Sequence, residues 1–61
     1  MQGYYAKNLR NYLELSPKEL AKIAKVSPKS IELLEHDEPL RLDDKRRIMA
    51  ALYLIKARNF A

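Results

Sequence analysis

Cysteine and tryptophan are absent from these 61 residues, histidine occurs once, and the single glycine is Gly3. Without cysteine there is no disulfide framework, no thiolate zinc site and no cysteine nucleophile. Average usage would place about four glycines in a chain of this length. Small sheet proteins rely on glycine for turns of positive φ, so its scarcity points to an all-α chain with short, stiff connections. Long apolar runs are missing too. The longest, Ile48 to Ile55, has eight residues, against about 20 for a membrane-spanning helix, and MQGYYAKNLR lacks the apolar core of a signal peptide. A mass of 7.1 kDa implies about 4,100 Å² of folded surface against roughly 10,300 Å² unfolded. That suffices for one small core over 1–61 and excludes a second domain or a deep enzyme cleft. The expectation is a soluble intracellular domain, not an enzyme, with no small-molecule substrate, no cofactor and no membrane partner.

The charge that is present is unevenly laid out. Residues 1–31 hold six bases (Lys7, Arg10, Lys18, Lys22, Lys25, Lys29) and two acids (Glu14, Glu19). Residues 32–44 hold six acids (Glu32, Glu35, Asp37, Glu38, Asp43, Asp44) and only Arg41, and residues 45–61 hold five bases (Lys45, Arg46, Arg47, Lys56, Arg58) and no acid. Basic surface invites phosphate, whereas the acidic block between repels it. Charge alone leaves a phosphate-binding face and a merely solvated mixed surface equally open.

Helix starts and stripes are legible. Ser16-Pro17-Lys18-Glu19 has the form of a capping box with proline at the first helical position. Leu20, Ala21, Ile23 and Ala24 follow as its apolar face. Ser27-Pro28 repeats the device, and Ile31, Leu33 and Leu34 follow before Glu35-His36-Asp37-Glu38-Pro39 ends the helix. Asp43 reads as a third capped start, with Ile48, Leu52 and Ile55 as the stripe and Met49 and Tyr53 broadening it over a last helix of about 43–58. Tyr5, Leu9, Tyr12 and Leu13 mark an earlier amphipathic helix from about residue 4. The second and third helices, about 17–24 and 28–35, are separated by three or four residues, the geometry of a helix-turn-helix.

Leu9-Arg10, Ser16-x-x-Glu19-Leu20-Ala21, Val26-Ser27, Ser30-Ile31-x-x-Leu34-Glu35 and Ile48-x-x-Ala51-Leu52 together resemble the Cro/C1-type helix-turn-helix family of phage repressors and bacterial transcriptional regulators. The match runs in register from about residue 7 to 54, with the motif at about 17–35. The resemblance implies a four-to-five-helix lambda-repressor-like domain whose helix at about 28–35 enters the major groove of double-stranded DNA. It implies a cytoplasmic location, on the nucleoid when bound, and an ion pair of Arg10 with Glu35 that ties the first helix to the end of the third.

Carried over position by position, Pro28, Lys29, Glu32 and Leu33 are the base-reading candidates. Lys29 can donate to guanine O6 and N7, and equally to a phosphate. Glu32 can accept from a cytosine amine, and Leu33 can meet a thymine methyl or another protein. Lys18, Lys22, Ser30, Arg41, Lys45, Arg46 and Arg47 are the phosphate candidates. Pro17 stands where relatives often have glutamine, and His36-Asp37-Glu38-Pro39 is acidic where they are often basic. The alternative reading is a protein-interaction module, antirepressor- or antitoxin-like, that keeps the fold without reading DNA. Leu52-Tyr53-Leu54-Ile55 with Phe60 offers a homodimer surface on the C-terminal helix or a closure of the core.

Other chemistry is thin. His36 with loose carboxylates reads as a surface histidine rather than a metal site, and Asp43-Asp44 as helix-dipole partners. Tyr4, Tyr5, Tyr12 and Tyr53 read as half-buried packing rather than as stacking platforms for bases. Four positions where the family commonly places glycine are Glu14, Lys25, Asp37 and Tyr53. Left-handed backbone is expected at the first three, with a reshaped turn as the alternative at Lys25. At Tyr53 the expectation is a helix that does not stop.

Overall fold

Pro17 and Pro28 each follow a serine, and in the computed structural model, which describes residues 2–60, each opens a helix of eight residues. The helices are α1 (Gln2–Tyr12), α2 (Pro17–Ala24), α3 (Pro28–Glu35) and α4 (Leu42–Phe60), and no strand occurs among the described residues. None of the helices is long and apolar enough to cross a membrane. At α2 the capping box is complete. Glu19 N donates to Ser16 Oγ at 3.1 Å, and Ser16 N donates to Glu19 Oε1 at 2.9 Å. That backbone donor, with the serine hydroxyl, holds the Glu19 carboxyl below the ordinary carboxylate range. At α3 only the first half of the device is present, with Ser30 N donating to Ser27 Oγ at 3.4 Å.

The first three helices end alike. Leu15 N donates to the Arg10 carbonyl, Val26 N to that of Ala21 and Glu38 N to that of Leu33, each five residues back. That bond, with a left-handed residue just before its donor, is the Schellman motif. The left-handed residues are Glu14 (φ 58°), Lys25 (φ 60°) and Asp37 (φ 55°), none of them glycine. Leu15 and Val26, the donors at the first two, pack on the core. Tyr53 lies inside α4, which runs on to Phe60.

Each helix sends small and branched residues inward: Ala6 and Leu9 from α1, Leu20, Ala21 and Ala24 from α2, Ile31 and Leu34 from α3, Ile48, Ala51 and Leu52 from α4. α2 packs on both α3 and α4, and α1 does the same from the other side. The surface is 4434 Å², above the ~4,100 Å² that size alone predicts. The excess fits α4, whose Ala57, Arg58 and Asn59 are exposed beyond the core.

Gly3 has a packing role that composition did not reveal. A Cβ there would lie 2.6 Å from the Leu34 carbonyl oxygen and 2.8 Å from that of Glu35. Its amide donates to Asp37 Oδ1 at 3.0 Å. The first turn of α1 thus sits directly on the exit of α3.

Three sequence expectations are corrected. α4 starts at Leu42 rather than being capped by Asp43, because Lys45 N donates to the Arg41 carbonyl. Asp43 and Asp44 lie in the first turn, where the helix dipole favours acids without a cap. Ile23, expected on the buried face of α2, is 47% exposed, at the rim towards α4. The tyrosines are exposed rather than half-buried, because Ala6 and Leu9 take the inward positions of α1 and Ile48, Ala51 and Leu52 those of α4. Tyr5 and Tyr53 pack on each other, with ring centroids 6.4 Å apart.

Candidate nucleic-acid interface

Ile31 and Leu34 anchor α3, so the helical period turns Lys29, Glu32 and His36 outward. All three are exposed, as is Pro28 in the first turn, while Leu33 is half-buried. Four of these groups, Lys29, Glu32, Leu33 and His36, line one open hollow together with Glu38. A second hollow joins Pro28 and Glu32 of α3 to Ser16, Pro17 and Lys18 at the start of α2. Lys18 therefore stands beside the outer face of α3, and exposed Lys22 follows one turn later on α2.

The other phosphate candidates do not join this face. Ser30 is buried, its Oγ 3.3 Å from Ser27 Oγ and donating to Asp44 Oδ2 at 3.5 Å. It links α3 to α4, and that commitment removes it as a phosphate contact. Lys45 lines a cleft with Asp37 and Glu38. Arg47 donates from Nη1 to the Lys25 carbonyl at 3.4 Å, and so holds the left-handed turn between α2 and α3. Arg46 falls in the i, i+4, i+7 row of Ala50 and Tyr53 on the outside of α4. Arg41 is exposed on the connection into α4.

The frame beneath is fixed by Arg10. Its Nε donates to Glu35 Oε2 at 2.6 Å and its Nη2 to Oε1 at 3.1 Å, while Nη1 donates to the Leu15 carbonyl at 2.9 Å. Both side chains of the pair are 9% exposed. One guanidinium thus connects α1, the α1–α2 loop and the last turn of α3, through the bidentate geometry that arginine offers a carboxylate. Neither partner is free to touch DNA. No group of three or more histidine, aspartate or glutamate side chains suited to a metal ion occurs among the described residues.

Sequence reasoning missed the Asp37 contact to Gly3 and the Arg47 contact to Lys25. Both depend on elements far apart in the chain meeting, and no local pattern announces them. No protein-family model, curated protein or solved structure matches the chain.

Proposed function

We propose that α2 and α3 form a helix-turn-helix and that the chain is a small double-stranded DNA-binding regulator, with α3 laid in the major groove. One observation carries this reading. Two eight-residue helices, each opened by a Ser-Pro cap, are joined through a left-handed Lys25, and the second turns Lys29 and Glu32 outward beside Lys18. Lys29 reads a guanine edge, Glu32 accepts from a cytosine amine and Leu33 covers a thymine methyl. Lys18 and Lys22 hold the flanking phosphates and set the register.

A specific observation favours a second reading, a protein-interaction module on the same fold. Glu32 and Glu38 share a hollow with half-buried Leu33, beside Lys29 and His36, and two carboxylates next to an apolar side chain suit a protein better than phosphate.

Titration of mixed-sequence duplex DNA by fluorescence anisotropy separates the two. Three contacts, from Lys18, Lys22 and Lys29, predict a roughly 40-fold loss of affinity between about 50 and 200 mM salt. Lys18→Ala lowers the salt slope by about one, and Lys29→Ala costs about 1–3 kcal/mol on a preferred site. No binding at the lower salt leaves the second reading standing.

A further inference from the structure

We propose that the outer face of α4, with the groove between α4 and α2, docks an acidic amphipathic helix of another protein. The face lies apart from the outer face of α3, and the inference does not rest on the DNA reading.

The surface carries an apolar stripe set among arginines. Ile23, Ala24, Ala50, Ala51 and Leu54 line the groove with Arg47. Leu54 is 56% exposed and Ile23 47%, both at the rim. On the far side of α4, Tyr53 is 50% exposed and packed on Tyr5. Ala50, Tyr53, Leu54 and Ala57 are spaced at i, i+3, i+4 and i+7, so one stripe of α4 carries the patch. Among the described residues Ala50, Tyr53, Leu54 and Ala57 stay exposed, whereas Ile48 and Leu52 on the opposite face of α4 are fully buried. Apolar side chains left exposed together along one face of a helix suit an interaction site.

Charge selects the occupant. From Lys45 onward the chain carries five bases and no acid. Arg47 lines the groove, Arg46 precedes Ala50 by one turn and Arg58 follows Leu54 by one turn. The nearest carboxylate on α2, Glu19, one turn before Ile23, accepts from Ser16 N in the capping box. A two-fold pairing of this face with a second copy, the homodimer that the sequence suggests, would set these bases against their own kind. A helix with apolar anchors at i, i+3, i+4 and i+7 and glutamates on its flanks satisfies both the stripe and the arginines.

The test uses the full chain and two synthetic helical peptides of about 16 residues. Both carry leucine at the four anchor positions, one with glutamate and one with lysine on the flanks. The glutamate peptide is expected to bind at least about tenfold more tightly, and to shift the amide resonances of Ile23, Ala50 and Leu54 more than those of α3. Leu54→Asp and Ala50→Arg, each at an exposed site and checked for native circular dichroism, weaken it at least tenfold. Arg58→Glu narrows the gap between the peptides. All three variants leave affinity for duplex DNA unchanged. Equal binding of both peptides overturns the proposal, as does absence of binding. Sedimentation showing a dimer of the free chain that Leu54→Asp dissociates overturns it as well, since a second copy is then the occupant.

Discussion

A methyl group at Gly3 meets two main-chain oxygens, those of Leu34 and Glu35, at less than 3 Å, and main chain cannot rotate away as a side chain can. Helix propensity favours alanine there by at most about 1 kcal/mol, whereas overpacking costs about 1–3 kcal/mol. Gly3→Ala is therefore expected to lower the melting temperature by several degrees in a domain this small, and a raised one would show that α1 does not dock as described. The left-handed residues make a sharper set. Glycine relieves about 1–2 kcal/mol of strain at such a position and returns about 0.4–1 kcal/mol through the looser unfolded chain. Glu14→Gly and Lys25→Gly should each raise the urea midpoint. Asp37→Gly should lower it, because the Asp37 carboxylate also accepts from Gly3 N. Equal effects at all three would contradict that contact. The positions of these left-handed residues were legible only through the family resemblance, which implies glycine at Glu14, Lys25 and Asp37. The contact was not, since Gly3 and Asp37 lie 34 residues apart.

Among elements, α2 and α3 are the best specified by local sequence. Ser16-Pro17 and Ser27-Pro28 fix their starts, and Lys25 and Asp37 follow their ends. The long α4 was less legible, because Asp43 and Asp44 suit a cap and a first turn equally well. Ile23 misled for a similar reason. Four apolar residues on an eight-residue helix satisfy a helical period, but the narrow core takes only Leu20, Ala21 and Ala24. The face of Lys29 and Glu32 was legible as a consequence of α3's phase. The sequence did not show that Ser30 would be spent on Asp44, or that Lys45 would stand beside Asp37 and Glu38. Between elements the decisive link is Arg10 with Glu35. Removing one partner leaves a charge 9% exposed and costs about 3–5 kcal/mol. Arg10→Met and Glu35→Leu should each approach that loss. The double variant should lose less than either, as thermal melts of all four proteins can establish. Additive losses would show that the pair is not coupled.

Among the described residues of the molecule ten apolar side chains are buried as its core, and the chain has no cysteine to form a disulfide. Its polarity is divided: acids crowd the exit of α3 and the connection into α4, and bases occupy α4 beyond Asp44. That layout separates the α3 face from the α4 face in chemistry as well as in position. The three-way grip of Arg10 also bears on motion. α1 cannot swing away without stripping the partner from Glu35 and breaking the bond to the Leu15 carbonyl, so α1 and the end of α3 must open in one cooperative event. Their slowest amides are expected to exchange hydrogen for deuterium with a common opening free energy. The last turn of α4, past Ile55, should exchange far sooner, breathing on its own while the rest stays shut.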